Sequence, residues 1–415
     1  MTTLPESIET LDANELEAAW REDPDIFTRW FDEAWRQRPD SPLLQAWHAR
    51  LHYKTPETES DTDNGLLLPT IFISVLAWAA AKVPAWITVD EEWFYPRFIP
   101  FLVIGAVIVW FNLRAGFERR VLKHSLIAMG LILVYLLWYP WTRNADSHIM
   151  ASLHMPMVML SLLGYVFARG QWGSLDRRMA YISYLGELLI FTSLVMLGGG
   201  VLTMLTLGLF GLVGIRLEEW FFEHVVLWGA MSAPLVATWV WDRVMQRQSR
   251  LASVIANVFS PLFLLMTTLY LLVLLTEDRS PFQDREFLIV FNALLLVVWG
   301  ISVFSIIGRA AKASSLMDLI NLCLLCVTLV IDAIALSAIV YRIWEFGLTP
   351  NRVAVTGANT LIFVHLLLIG REYLRDYRGL GSQLVLKNTI ARYLPIYTAW
   401  SALVVVLLPL LFGFN

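Results

Sequence analysis

This sequence predicts an all-α fold, a polytopic transmembrane helical bundle of about eleven spans with a small N-terminal helical cytosolic segment. Three observations lead there. The 415 residues are 57% hydrophobic and 16% charged, with a mean hydropathy of +0.61, whereas a soluble domain carries roughly 25% charged residues. The apolar residues gather in runs of roughly 20, the length that crosses about 30 Å of hydrocarbon. Charge is also divided along the chain. Up to Asn64 there are 15 acids and 6 bases, and the remainder holds 20 and 25, so a head of about −9 precedes a membrane part of about +5. A head this acidic is unsuited to nucleic acid or anionic lipid. Residues 1–20 hold no apolar core stretch, so no secretory leader is expected.

Residues 1–54 read as three short amphipathic helices. Asp12 is placed to cap the first, which runs to Glu22. DIFTRWFDEAWRQR from Asp25 aligns Phe27, Trp30, Phe31, Ala34 and Trp35 on one stripe, the pattern of a helix with one buried face. Ser41-Pro42 opens the third, which aligns Leu44, Trp47 and Leu51. Residues 55–64, TPETESDTDN, carry no apolar residue beyond Pro56 and read as a linker to the membrane domain at 65–415. The acidic helices are either a docking module for a cytosolic protein or a small cap.

The apolar runs fall at 65–81, 98–113, 125–141, 150–168, 181–209, 225–241, 251–275, 287–308, 319–341, 353–370 and 394–414. Alternate loops differ in basic residues. One set holds 17, among them Arg114, Arg119, Arg177, Arg178, Arg243, Arg309 and Arg375; the other holds 8, including Arg97, Arg342 and Arg352. The excess marks the cytoplasmic side, which puts the N-terminus inside and the C-terminus outside. Trp93, Phe94, Tyr95, Trp138, Tyr139, Trp141, Trp220 and Trp241 at the span ends fit an interfacial belt.

Three features break the rules of a lipid-exposed helix. The fifth run is uncharged from Tyr181 to Gly214 apart from Glu187. At 1.5 Å per residue it exceeds the bilayer and must tilt, bend or break. Gly198, Gly199 and Gly200 lie in its middle and could open backbone carbonyls to an ion or substrate, or serve close packing with Thr203 and Thr206 bonded back to the helix. Glu187, Asp332 and His365 are ionisable at bilayer depth, where a carboxylate costs at least about 2.5 kcal/mol unless paired or wet. Asp332 and His365 lie at similar depth on adjoining spans. They could pair or relay a proton, unless Asp332 bonds instead to Asn321 or Asn359.

The turn between those spans, YRIWEFGLTPNR at 341–352, has its own logic. Gly347 permits positive φ, Thr349 caps the next helix and Pro350 starts it. Arg342 and Glu345 are spaced for a local ion pair, leaving Arg352 for a partner or an anionic ligand. Elsewhere the signals are bland. Cys323 and Cys326 share a helix face as small packing residues, His154 is interfacial, and the acids near Asp90 and Glu218 are solvated loop charge. No glycine-rich phosphate loop, HExxH or GxSxG occurs, so neither cofactor nor metal is expected and an enzyme is the weakest class.

The turn resembles that of the bacterial membrane-protein family catalogued as domain of unknown function 4153. YLGELLIFTSLVMLGGGVLTMLTLGLFGL at 184–212 and HMPMVMLSLLGY at 154–165 resemble it too. The resemblance covers residues 65 to 415 and leaves the N-terminal segment outside. It implies a polytopic inner-membrane protein and brings no activity or site residue. Two functions then compete. One is a transporter or permease for a small molecule or ion, built on Glu187, Gly198–Gly200, Asp332, His365, Arg342 and Arg352. The other is a scaffold or signalling component that holds a cytosolic partner through residues 1–54.

Overall fold

The computed structural model describes residues 12–22, 24–51, 66–140, 145–245, 247, 250–276, 285–309 and 315–414. The predicted linker at 55–64 lies outside them, as do Trp141, Arg143, Arg279 and Lys312. The chain divides into two units, Met1–Asp63 and Asn64–Asn415.

The first unit is built from α1 (Ala13–Glu22), α2 (Pro24–Gln37) and α3 (Pro42–Leu51). The Asp12 carboxylate accepts from the Asn14 amide at 3.3 Å, a cap at the predicted place. Leu16, Phe27, Phe31 and Leu44 are fully buried, and Trp20, Trp30 and Trp35 pack around them. Glu17 joins α1 to α3 through Arg50, at 2.6 Å, and is bonded also by Arg21. Those two guanidiniums hold its carboxyl below the usual range.

The second unit is a multi-pass membrane protein: among the described residues, ten helices are long and apolar enough to cross a bilayer. They are α6 (Glu91–Arg114), α7 (Arg119–Trp138), α8 (Asp146–Phe167), α9 (Leu175–Leu212), the continuous stretch Glu218–Val244 containing α10 (Glu218–Phe221) and α11 (Leu227–Trp239), α12 (Leu251–Thr276), α13 (Arg285–Ile307), α14 (Ser315–Phe346), α15 (Pro350–Tyr377) and Gln383–Leu411, which joins α16 (Gln383–Ala402) to α17 (Leu408–Leu411). The first predicted run forms a shorter helix, α4 (Leu67–Ala81), of 15 residues, which at 1.5 Å per residue falls short of a ~30 Å core. A separate turn, α5 (Val83–Ile87), follows. Prolines 96, 100, 156, 234, 261 and 395 lie inside helices, which membrane helices tolerate when neighbouring groups satisfy the freed carbonyls.

Two apolar clusters organise this unit. One gathers α4, α6, α8, α9 and α11 around Ile108, Trp110, Met159, Leu163 and Tyr184. The other gathers α13 to α16 around Val303, Leu325, Leu366, Ile369 and Leu386. The first half of α9 belongs to both, through Tyr181 and Tyr184 on one side and Ile182 on the other. Its second half leaves that packing, and Leu197, Leu202, Met204, Leu209 and Leu212 stand exposed.

The expectation of a broken helix is overturned. α9 runs helical from Leu175 to Leu212 straight through Gly198, Gly199 and Gly200. Thr203 and Thr206 bond back to the carbonyls of Gly199 and Leu202 at 2.8 and 2.7 Å. Among the described residues, nothing beyond the helix's own nearby backbone lies within 4 Å of a Cβ built on the three glycines, so they make no close packing contact there, and the helix is not opened at them. Bilayer hydrocarbon offers backbone groups no replacement partner, and the intact ladder is the cheaper state.

Candidate functional site

The turn at 341–352 forms as predicted. Gly347 sits at φ +76° and Thr349 accepts from the Arg352 amide. The Arg352 guanidinium donates to the carbonyls of Phe346 and Gly347 at 2.9 and 2.6 Å, closing the exposed end of α14, where a cation also meets the negative end of the helix dipole. No Arg342–Glu345 ion pair forms: Glu345 is exposed, while Nη1 of Arg342 is buried without a hydrogen-bond partner.

Glu187 is a helix cap supplied from another helix. It is 1% exposed, and Oε1 accepts the amide of Ala252, the second residue of α12, at 2.9 Å. The first amides of a helix have no partner of their own, and a carboxylate there also meets the positive end of the dipole. Oε1 of Glu187, expected as a substrate or coupling group, is thus committed to packing α9 against α12. Glu187→Leu is expected to destabilise the membrane unit by about 1–3 kcal/mol, the cost of an unsatisfied buried donor. Glu187→Gln, which keeps the carbonyl acceptor, should cost less in the same detergent unfolding assay. Equal losses would show that the bond contributes nothing.

His365 and Asp332 do not meet. α14 and α15 pack along each other as expected, but His365 turns away from α14. Its ring lies flat on Tyr393 at 4.2 Å and 7°, and Nδ1 is 2.8 Å from the Tyr397 hydroxyl and 3.3 Å from the Trp299 indole nitrogen. An indole N–H only donates, so Nδ1 accepts and the ring is the neutral Nε2–H tautomer. His365 thus closes an aromatic junction of α13, α15 and α16. Asn321 and Asn359 do not serve Asp332 either, since they donate to Ser305 and Asn292.

Asp332 stands apart. It is 2% exposed, and among the described residues neither carboxylate oxygen has a hydrogen-bond partner. It borders a cavity of about 10 Å³ between α13 and α14, lined by Phe291, Leu294, Leu295, Thr328 and Ile331 among others. That volume is at the lower limit for a single water. The other buried carboxylates have partners. Asp242 has Arg114 and Arg247, each at 2.6 Å. Asp318 has Arg309 at 2.7 Å and the Tyr373 hydroxyl at 2.8 Å.

Sequence reasoning missed Arg97, counting it as a loop cation. It lies inside α6, 3% exposed, and donates to the carbonyls of Leu136 and Tyr139 at 3.0 and 2.9 Å. It lines a cavity of about 20 Å³ with Tyr135, Tyr139 and His148. The signal was Asp90, whose side chain caps α6 by accepting from Glu92 and so starts the helix ahead of Arg97.

Compared with protein-family models, with curated proteins and with solved structures, the chain matches none.

Proposed function

We propose that this chain is a carrier of the bacterial inner membrane, with Asp332 as the ionisable centre of its site. The membrane unit would belong to the family catalogued as domain of unknown function 4153, with its N-terminus cytoplasmic and its C-terminus outside, as the basic loops indicate. One observation carries the reading: a carboxylate buried at mid-span beside a cavity, with no partner among the described residues, where Asp242 and Asp318 show that this fold supplies partners elsewhere. An orphaned carboxylate lowers stability, so a purely structural helix gains nothing by keeping one. Substrate would enter along the α13–α14 seam, where Phe291 and Leu294 face Asp332 across the cavity.

Thermal unfolding of the detergent-purified protein against a panel of metabolites, ions and lipids tests this. A ligand that binds only the folded state at a hundredfold excess over its Kd stabilises by about 2.7 kcal/mol. The expected result is stabilisation of the wild type that Asp332→Asn loses. A ligand that stabilises both proteins equally would remove Asp332 from the site, and a panel without effect would remove the carrier.

A second reading has its own observation: the N-terminal unit owns a closed core around Phe27, Phe31 and Leu44. A scaffold would present that unit to a cytosolic protein. Deleting residues 1–60 would then abolish partner capture, whereas a carrier without them would keep its ligand-induced stabilisation.

A further inference from the structure

Asp332 is the end of a stripe. Asp318, Asn321, Leu325, Thr328 and Asp332 follow at intervals of three and four along α14, so they share one helix face. All five are buried, none more than 5% exposed. The stripe begins at the arginine-rich end, where Asp318 holds Arg309 and accepts from Tyr373, and Arg309 also reaches Asp376. At Asn321 it joins a hydrogen-bonded chain across three helices: Asn321 donates to Ser305 at 2.9 Å and Ser305 to Asn257 at 2.6 Å. Thr328 then brings a hydroxyl to the wall of the Asp332 cavity. From Asp318 to Asp332 the rise is about 21 Å at 1.5 Å per residue, roughly two thirds of a ~30 Å hydrocarbon core and past its middle. Leu325, 1% exposed and part of the α13–α16 cluster, is the single apolar interruption.

We propose that the ligand of Asp332 is a proton, exchanged with the arginine-rich face along this stripe, with Leu325 as the plug that separates the two ends. The inference rests on the carrier reading and names its coupling ion. The cavity argues against a metal cation. Its wall offers one carboxylate and one hydroxyl, and that hydroxyl already donates to the Leu324 carbonyl at 2.7 Å. Calcium takes 6–8 oxygens and magnesium a near-ideal octahedron, so this wall is several oxygens short. Among the described residues, no group of three His, Cys, Asp or Glu could hold a metal. A proton needs one base. Asp332 takes it from hydronium at the arginine-rich face, where one O–H bond breaks and water is left as the carboxyl O–H forms, and the neutral acid suits the dry cavity.

The surroundings leave Asp332 as the group that titrates. α14 packs against α12, α13 and α15. α12 brings Tyr270, whose hydroxyl is buried without a partner and whose ring packs on Phe291 at 5.6 Å. α13 adds no charged group to the cavity wall. α15 offers His365, whose Nδ1 is taken by Tyr397 and whose ring stacks on Tyr393, with Nε2 buried without a hydrogen-bond partner among the described residues. On α14 itself, Cys323 and Cys326 are exposed, Asp318 is ion-paired and Arg342 lies near the opposite end.

Infrared difference spectroscopy on the full chain reads the proton directly. The wild type minus Asp332→Asn should show the carbonyl band of a protonated carboxyl at neutral pH. Sodium or potassium chloride should leave that band unchanged. Leu325→Ser should speed its exchange in deuterated water, with Leu329→Ser as the control for general loosening. An ionised Asp332 at neutral pH, or a band abolished by sodium, would overturn the proton. Exchange unchanged by Leu325→Ser, or accelerated equally by Leu329→Ser, would overturn the plug. A protonated band in a protein that no panel compound stabilises would instead remove the carrier and leave the proton site standing.

Discussion

Asp242→Ala is expected to lower the unfolding free energy of the membrane unit by about 3 kcal/mol, the lower end of the range for breaking a buried ion pair. The Asp242 side chain is 0% exposed and receives Arg114 Nε at 2.6 Å, Arg247 Nη2 at 2.6 Å and Arg243 Nε at 3.7 Å. Removing it leaves three guanidiniums converging on an uncharged pocket. The Arg114 and Arg247 side chains are 27% and 43% exposed, so water recovers part of their solvation, and the upper end of the range is not reached. Asp242→Asn keeps an acceptor and should lose less. Arg114→Met combined with Asp242→Ala should cost less than the two separate losses together, because contacting members of one network couple by about 0.5–3 kcal/mol. Denaturant titration in mild detergent measures all four proteins. Additive losses would show that the arginines surround Asp242 without bonding it.

This expectation also sharpens what is unusual about Asp332. Both are aspartates buried in spanning helices, but only Asp332 sits inside an apolar run of the sequence; Asp242 lies just past the end of one. Asp242 stands at a helix end where three arginines converge. Asp332 has 14 residues of α14 on its C-terminal side before the turn reaches Gly347, and the first basic group there is Arg342. Partner supply follows position: charged side chains are cheap at the ends of spans and expensive in the middle. Asp332 is therefore the costlier placement of the two, and that cost is what the proposed carrier role rests on.

How far the sequence could be read follows from the same physics. Runs of apolar residues fix where helices cross, because the bilayer dictates their length. Helix starts were less legible. α6 begins at Glu91, ahead of the predicted 98, and α9 at Leu175, ahead of the predicted 181. Capping by Asp90 and Ser174 sets those starts, and apolarity does not report it. The glycine triplet was legible as a weak point, yet its consequence was not, since lipid removes any alternative partner for the backbone. Depth along the membrane followed from counting residues, which placed Asp332 and His365 at one level. Azimuth did not follow. Whether two side chains at one depth face each other depends on how α14 and α15 rotate to bury Leu325 and Leu366, and that is settled by packing across several helices. Partners such as Arg114 for Asp242, separated by 128 residues, are invisible for the same reason.

Helix rotation of this kind has a measurable anchor at Gly357. A Cβ built there would lie 2.0 Å from both Cζ2 and Cη2 of Trp400, so α15 and α16 touch through the bare glycine and the indole face. Gly357→Ala should destabilise the membrane unit by about 1–3 kcal/mol, the usual cost of overpacking. The better helix propensity of alanine returns at most about 1 kcal/mol of that. Trp400 is half-buried and packs beside Met150, Ala354 and Val404, which limits how far the ring can swing, so α16 is expected to shift. That shift would carry Tyr393 and Tyr397 away from His365, which links a glycine at one level to the aromatic junction two turns further along α15. Trp400→Ala alone should cost about 3 kcal/mol as a truncated large side chain. In that background Gly357→Ala should become neutral or stabilising, because the added methyl enters the space the indole vacates. The sign reversal is the decisive result. If Gly357→Ala costs the same with and without the indole, the contact does not set the spacing of α15 and α16, and the rotation that separates His365 from Asp332 has another origin.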